Sequence, residues 1–276
     1  MTATFLLSAF GDEIDDDLAK QLDVLASEGI TALELRSAWG VNVVDLSSDQ
    51  LRRAGELLRE RGFQVSAIGS PIGKSPLSEP RAFEQERLER ALAAAASLDT
   101  RLIRIFSFYV SPEALDEARN EVIERLGVLV ERAAQAGVTL LHENERGIYG
   151  EQATRCHDLH TALSSPALRM AFDPANFVQA GAHPMEEAWP LLSDVVTHVH
   201  IKDAVFADGS VRPAGQGDGD IPALLAALNA RHYTGYLTLE PHLSIAGPAG
   251  GYSGEEGMRA AIHALHNLLA NVPQHG

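Results

Sequence analysis

Cysteine, basic charge and long apolar runs are all scarce in this sequence of 276 residues. The single cysteine, Cys156, excludes an internal disulfide, so nothing points to an oxidising compartment. The formal net charge is −16, from 38 acidic against 22 basic residues. Nucleic acids and anionic membranes are bound by basic patches, so this charge balance argues against both as partners.

No apolar run approaches the roughly 18 residues that indicate a membrane-spanning helix. The stretch Met1 to Phe10 lacks the basic region of a signal peptide and runs into the acidic Gly11-Asp12-Glu13. We therefore expect a cytoplasmic protein without a membrane partner. The rest of the composition, 45% hydrophobic and 22% charged, is that of an ordinary globular chain with a substantial core.

The sequence does contain a regular alternation of short apolar runs and longer amphipathic runs. The apolar runs predict eight strands, at residues 4–9, 31–35, 63–68, 102–106, 138–142, 168–172, 195–201 and 236–239. The amphipathic runs predict a helix after each strand, at 15–28, 48–61, 79–98, 112–135, 152–163, 185–192, 221–230 and 255–269. Ser48 is a candidate N-cap of the second helix, and Gly62 can end it.

Strand–helix units of about 30 to 35 residues, with no linker between them, predict a parallel sheet. Because eight units leave no spare strand, we expect the sheet to close into a single (β/α)8 TIM barrel domain over residues 1–276. An open, doubly wound sheet is the competing fold. That fold favours a glycine-rich nucleotide loop after the first strand, and Ala9-Phe10-Gly11-Asp12-Glu13 is a poor match to one.

The seventh predicted strand carries a polar side chain at every second position. Side chains alternate across a strand, so His198, His200 and Lys202 share one face. Two imidazoles and an ammonium on a buried face require water, a counter-charge or a metal. His198 lies deeper and is expected to be a hydrogen-bonded core histidine. Three other apolar runs end in an acid, at Glu143, Asp173 and Glu240.

In a TIM barrel the carboxyl ends of all the strands meet at one face. The four side chains expected to converge there are Glu143, Asp173, His200 and Glu240. Three carboxylates repel one another unless a positive charge lies among them. Oxygen ligands with a single nitrogen suit a divalent ion, with Mn2+ as the first choice and Mg2+, Co2+ or Zn2+ as alternatives. Helix capping and core packing could explain each residue alone, but four equivalent strand ends favour a metal site.

Five stretches carry a resemblance to a known group of barrels. They are His142-Glu143-Asn144, Phe172-Asp173-Pro174-Ala175-Asn176, residues 198–203, residues 215–221 and Leu239-Glu240-Pro241. Together they resemble the xylose isomerase-like superfamily, which includes sugar isomerases and epimerases, inosose dehydratases and endonuclease IV-like enzymes. The resemblance implies that the four converging residues are metal ligands. From the ketose 3-epimerases of the group, it further implies that Glu143 and Glu240 act as acid and base.

Two departures from that group bear on the substrate. Asn176 stands where the ketose 3-epimerases have a histidine, so we expect an altered substrate contact there. The endonuclease-like members hold three zinc ions with additional histidines and an Asp/His pair. Near those places this chain has Arg36, Ser70, Ser107 and Val211-Arg212-Pro213. Together with the acidic net charge, this argues against DNA repair and against nucleic acid as a partner.

The remaining candidates are substrate contacts. Lys202 shares the inward face of the seventh strand and is placed in the site. Arg212 precedes a Pro-Gly stretch where the 3-epimerases carry a substrate-binding arginine. Lys74 follows a tight glycine-containing loop, either as a substrate contact or as a solvated lysine. Glu34 and Arg36 end the second strand, either as substrate contacts or as a structural ion pair.

The expected enzyme is a metal-dependent isomerase or epimerase of a sugar or sugar phosphate, which removes a proton next to a carbonyl through an enediolate. The same site fits a lyase or dehydratase acting on a keto-sugar or an inosose, and the sequence does not separate the two. A third hypothesis is a carbohydrate-binding barrel without activity, which would not need two opposed carboxylates. A small carbohydrate is the expected partner. A homo-oligomer stays open, since barrels of this kind often pair.

Overall fold

In the computed structural model, residues 3–243 and 253–272 are described. Eight parallel strands close into a barrel in sequence order, and the eighth strand pairs with the first. The strands are Thr4–Ala9, Ala32–Leu35, Gln64–Gly69, Leu102–Ile105, Thr139–Glu143, Leu168–Phe172, Val196–Ile201 and Thr234–Leu239. The predicted TIM barrel is confirmed, and the strand bounds differ from the predicted ones by no more than two residues.

Helices follow the strands and cover the outside of the barrel. They are Leu18–Ser27, Ser48–Glu60, Arg81–Ser97, Leu115–Gln135, Ala153–Leu163, Pro174–Gln179, Trp189–Leu192, Ile221–Ala230 and Gly254–Leu269. Ser47, one residue before the predicted cap, forms a capping box with Gln50. Gly62 follows that helix at a φ of 71°, which glycine adopts without strain. No described helix combines the length and the apolar character that crossing a bilayer requires.

The space between the strands and the helices holds the main apolar core. Leu140, Phe172 and Leu239 belong to it and are wholly buried, because side chains alternate along a strand and these three point toward the helices. Phe172 also packs against the rings of Phe177 and Trp189, at centroid distances of 5.2 and 5.6 Å. Burial of this apolar surface is the main force that holds the helices against the strands.

The interior of the barrel is narrower and more polar than the space around it. A small apolar cluster that includes Leu141 and Ala171 is separate from the main core. Neighbouring residues of a strand point to opposite sides, so Glu143 and Asp173, two positions further on, share the side of Leu141 and Ala171. The barrel interior therefore carries its acids at the end where the strands finish.

Two short hairpins extend the strand ends, and the sequence did not predict either. Ser37–Ala38 pairs with Val41–Asn42 after the second strand. Asp203–Ala204 pairs with Val211–Arg212 after the seventh strand, inside a segment predicted as a loop. Strands of two residues are too short to show a periodic pattern, so only the pairing itself reveals them.

Candidate metal centre

Four side chains meet inside the barrel at the end where the strands finish. They are Glu143 at the end of the fifth strand, Asp173 and Glu240 directly after the sixth and eighth, and His200 in the seventh. One ligand atom of each lies within 4.8 Å of those of the other three. All four residues are buried, at 4% exposure or less. We term them the acid–histidine cluster.

Several atoms of the cluster lie close together without a hydrogen bond. His200 Nδ1 is 3.2 Å from Glu143 Oε1 and 3.7 Å from Glu240 Oε2, yet it forms no hydrogen bond within residues 3–243 and 253–272. In the same residues, Glu143 Oε2 and Asp173 Oδ2 are also buried without one, although the cationic Arg104 Nη1 and Lys202 Nζ lie 3.2 and 2.9 Å from them. Buried polar atoms nearly always have a partner. A divalent cation is a partner that three carboxylates and an imidazole suit, so the residues fit such an ion.

The carboxylates of the cluster differ in their affinity for a proton. Burial raises the pKa of Asp173 to about 7, although Lys202 opposes the rise, and Glu143 adds to it. Burial acts in the same direction on Glu143, but His200 and Arg104 outweigh it, so the pKa of Glu143 lies below its ordinary value. Three buried acids at this separation cannot all ionise freely, and a bound cation relieves that conflict.

Glu240 lies among cationic side chains. Lys202 Nζ is 3.2 Å from Glu240 Oε2 and 2.9 Å from Asp173 Oδ2, which places Lys202 in the site. Arg36 Nη1 donates to Glu240 Oε1 at 2.9 Å, and His242 Nε2 lies 3.1 Å from the same oxygen. Burial raises the pKa of Glu240, but Lys202 and His242 together lower it by a larger amount. The pKa of Glu240 therefore lies well below its usual range. Glu240 is therefore held in its ionised form at neutral pH.

Arg104 is a member of the site that sequence reasoning missed. It lies between two isoleucines in the fourth strand, is 4% exposed, and places Nη1 3.2 Å from Glu143 Oε2. The rings of Phe10 and Phe106 lie 5.1 and 4.8 Å from its guanidinium carbon. The available signal was an arginine in an otherwise apolar strand, because a buried charge has to meet a counter-charge.

A second group of acids, also missed, holds Arg36 against Glu240. Arg36 Nε donates to Asp12 at 2.7 Å, and Nη2 donates to Glu13 at 2.9 Å. Glu13 is wholly buried and also accepts a hydrogen bond from Ser253 Oγ at 2.8 Å. The signal in the sequence was the pair of acids that follows the first strand, at the same end of the barrel as the other strand ends.

Four of the six predicted substrate contacts line a cavity at the cluster: Asn176, Lys74, Arg36 and Lys202. Asn176 Nδ2 donates to Glu143 Oε1 at 3.2 Å, so it touches the cluster directly. Lys74 forms an ion pair of 2.7 Å with Glu145, further out on the wall. The cavity has a volume of about 310 Å³, and Glu240 also lines it. A larger cavity of about 510 Å³ lies elsewhere, between the second and third long helices and the strands beside them, away from the cluster.

The other two predicted substrate contacts lie off the cavity wall. Arg212 belongs to the hairpin after the seventh strand. Its neighbour Val211 lines the cavity, whereas Arg212 does not. Glu34 is wholly buried inside the barrel and is hydrogen-bonded to His198 and His200. His198 is the hydrogen-bonded core histidine that was predicted.

One buried aspartate organises the loop beside the site. Asp203 accepts hydrogen bonds of 2.8 to 3.0 Å from the backbone amides of Ala204, Gly215, Gly217 and Gly219. A Cβ atom on Gly217 would lie 2.4 Å from Asp203 Oδ1, so this position admits only glycine without rearrangement. The glycine-rich loop is thus packed around a carboxylate, and it supports the hairpin that carries Val211 to the cavity.

The sequence pattern described as Xylose isomerase-like TIM barrel matches residues 22–268 of the chain. No curated protein matches the chain significantly in sequence. The structural comparison extends over nearly the whole chain, and it includes epimerases and a dehydratase.

A D-tagatose 3-epimerase-like protein superposes with a TM-score of 0.77 at 18% identity, covering 97% of this chain and 98% of that one. A probable 3-DHS dehydratase involved in petrobactin synthesis from Bacillus anthracis gives 0.73 at 16% identity, covering 95% and 98%. A xylose isomerase-like TIM barrel protein from Mycobacterium smegmatis, in complex with magnesium, gives 0.72 at 18% identity, covering 98% and 100%. At these identities the likeness establishes the fold.

Proposed function

We propose that this chain, which belongs to the xylose isomerase-like TIM barrel family, is a divalent-metal-dependent isomerase or epimerase of a sugar or sugar phosphate. The reaction moves a proton at the carbon next to a carbonyl, through an enediolate. The observation that carries the proposal is the acid–histidine cluster, whose ligand atoms lie within 4.8 Å of one another inside the barrel. The likeness to a D-tagatose 3-epimerase-like protein supports the same reaction class.

The acid–histidine cluster is the group that would hold the ion, with Mn2+ as our first choice for its mixed oxygen and nitrogen ligands. The magnesium complex of a structural neighbour supports a divalent ion in this fold. When bound, such an ion polarises a carbonyl and stabilises negative charge on the substrate oxygens.

The two glutamates of the cluster are the proposed proton-transfer groups. Glu240 is kept ionised by Lys202 and Arg36, so it can take the proton from the substrate carbon. Glu143 is held in place by Arg104, as the second carboxylate beside the reacting carbon. A buried carboxylate that is already paired with fixed cations needs little rearrangement when the proton moves.

The cavity beside the cluster supports a small polyhydroxylated substrate. Its volume of about 310 Å³ is at the lower end of the range of small-molecule sites, roughly 300 to 1,000 Å³. Asn42, Asn176 and Gln179 supply neutral amides to its wall, and Lys74 and Arg36 supply cationic donors. Neutral amides and cationic donors together suit the hydroxyl and carbonyl oxygens of a sugar.

A lyase or dehydratase acting on a keto-sugar or an inosose is the second candidate. The likeness to a probable 3-DHS dehydratase favours it, as does the ammonium of Lys202 beside Glu240. An ammonium at that place is a donor that could protonate a leaving hydroxyl. Both reactions begin with the same removal of a proton.

Incubation in D2O with Mn2+ and a panel of ketoses, inososes and 3-keto-sugars separates these candidates. Deuterium gained at carbon without loss of water identifies an isomerase or epimerase, as we expect. Loss of a hydroxyl or of an aglycone identifies a lyase. A panel that stays unchanged, with Mn2+ bound to the protein, contradicts both enzymatic proposals.

Glu240→Gln tests the proton acceptor while preserving the size of the side chain. We expect turnover to fall by about 10² to 10⁴-fold, because an amide cannot take the proton, while the circular dichroism spectrum stays unchanged. Glu28→Gln is the matched control, since Glu28 pairs with His263 on the outer helices at 3.1 Å. Undiminished turnover in Glu240→Gln removes Glu240 from the role of base.

A further inference from the structure

Behind the acid–histidine cluster, three wholly buried side chains form a hydrogen-bonded group inside the barrel. They are Glu34 from the second strand and His198 and His200 from the seventh. Glu34 Oε2 lies 2.8 Å from His198 Nε2 and 3.3 Å from His200 Nε2. Thr238 Oγ1, from the eighth strand, is 2.9 Å from the same nitrogen of His198.

His200 uses its two ring nitrogens on opposite sides. Nδ1 faces Glu143 and Glu240, at 3.2 and 3.7 Å, and Nε2 faces Glu34. A carboxylate accepts hydrogen bonds and cannot donate them, so the nitrogen that faces Glu34 has to carry the hydrogen. In a neutral imidazole the other nitrogen, Nδ1, then has its lone pair directed into the cluster, which is the form that binds a metal ion.

We propose that Glu34 is a positioning residue, which holds His200 as the Nε2–H tautomer with Nδ1 free to bind the metal ion, and that His198 keeps Glu34 in place. This inference rests on the proposed function, because it presupposes a divalent ion in the acid–histidine cluster. Glu34 reaches the ion only through His200. The role differs from both alternatives given for Glu34 from the sequence, a substrate contact and a structural ion pair with Arg36.

The surroundings of Glu34 suit this role. Both imidazoles reach the same oxygen of Glu34, so the hydrogen bond from His198 limits the directions in which that oxygen can turn. Partners of this kind typically change metal affinity about 10- to 100-fold when removed.

The same three residues suggest one competing interpretation. Their donor atoms lie within 4.8 Å of one another, so Glu34, His198 and His200 could also hold a second cation directly. Two features favour the hydrogen-bonded arrangement: the 2.8 Å separation of Glu34 and His198, and the engagement of His200 with the acid–histidine cluster through its other nitrogen. The stoichiometry of metal binding distinguishes the two interpretations.

Calorimetric titration with Mn2+ alone, on wild type, Glu34→Gln and His198→Gln, tests the proposal without an activity assay. We expect one ion per chain in all three proteins. The dissociation constant should rise about 10- to 100-fold in Glu34→Gln and less in His198→Gln, because glutamine can still donate to Glu34. In the metal-free proteins, at a pH where the His200 ring is neutral, ¹⁵N NMR of that ring should show the Nε2–H tautomer in wild type and a mixture in Glu34→Gln.

Ser8→Ala is the matched control, since Ser8 lies in the same barrel interior, 2.7 Å from Ser66, and it should bind Mn2+ like wild type. An unchanged affinity and tautomer in Glu34→Gln overturn the positioning role. Two ions in wild type and one in Glu34→Gln overturn it as well, in favour of a ligand. Failure of wild type to bind Mn2+, Mg2+, Co2+ or Zn2+ contradicts the proposed function itself, which separates that result from the other two.

Discussion

The two faces of the seventh strand lie in equally dry surroundings and carry opposite chemistry. Val199 and Ile201 point outward into the apolar core between strands and helices. His198 and His200 point inward, where the groups around them are carboxylates and a hydroxyl. All four residues are buried, at 2% exposure or less. Burial alone therefore does not separate the two spaces; what separates them is whether buried atoms are paired with apolar groups or with charges.

This difference assigns stability and function to different parts of the fold. Apolar burial in the outer space stabilises the barrel in proportion to area. Charged groups in the interior incur a desolvation cost that their mutual attraction only partly offsets, so they are weak evidence of stability. A cluster of buried charged groups with such a desolvation cost indicates a functional site. Substitutions in the two spaces should consequently affect different measurements.

The largest expected effect is on metal binding, from Asp173→Asn. The substitution keeps the acceptor that caps the helix Pro174–Gln179, but it removes an anionic ligand from the interior. We expect the affinity for Mn2+ to fall about a thousandfold, equivalent to about 4 kcal/mol, as measured by calorimetry. Asp158→Asn, which alters an ion pair with Arg119 on the outer helices, should bind Mn2+ like wild type. Equal affinities in the two variants would remove Asp173 from the cluster.

In the outer space, Leu140→Ala should reduce stability and leave metal binding intact. Leu140 is wholly buried in the main core, three residues before Glu143 on the same strand. A cavity of this kind costs about 2 to 5 kcal/mol of unfolding free energy, measurable by urea denaturation. The affinity of the folded protein for Mn2+ should stay within about twofold of wild type. A large drop in affinity would show that the outer space also sets the geometry of the site.

Asp203→Asn examines a buried acid whose partners are backbone amides and not a metal. Asp203 is wholly buried and accepts four backbone hydrogen bonds. The NH2 group of asparagine is a hydrogen-bond donor and would face some of these backbone N–H donors. We therefore expect the free energy of unfolding to fall by about 2 kcal/mol. Hydrogen exchange should accelerate at the amides of Gly215 to Gly219. Asp208→Asn, at the exposed end of the hairpin, should have little effect on either measurement.

The smallest expected effect is a pH dependence in the outer space, where histidine is held neutral. Burial lowers the pKa of His160 to about 4, and Arg169 and His157 add to the shift. The unfolded chain takes up the proton first, near pH 6.5, so stability should decrease as the pH falls from about 6.5 to about 4. His160→Asn should weaken this dependence by about 1 kcal/mol over that window, as measured by denaturation at several pH values. Identical slopes in both proteins would show that His160 does not titrate with unfolding.

In the barrel interior, the pKa of His200 is shifted in the opposite direction to that of His160. Burial lowers its pKa, but Glu143 and Glu34 outweigh burial, so the net shift is upward. The pKa of the same residue type is thus lowered in one space and raised in the other. The neighbours decide the direction, and strand alternation decides the neighbours.

Much of the barrel was accessible from the sequence because its elements are periodic. The apolar runs predicted all eight strands, and Glu143, Asp173 and Glu240 stood out as acids at strand ends. The hairpin Asp203–Arg212 escaped prediction because two-residue strands have no period. Arg104 escaped because an arginine in a strand is read as a boundary or a surface position until the strands around it are known.

The sequence by itself determined the fold class, the order of the strands and the side of each strand that a residue faces. These follow from periodicity and from the polarity of single residues, which are local properties. Only the tertiary structure decided which charges meet: Arg104 with Glu143, Arg36 with Glu13 and Glu240, and Glu34 with the two histidines. Those pairs join segments that are distant in the chain, and an ion pair depends on a separation of a few ångströms that no local pattern encodes.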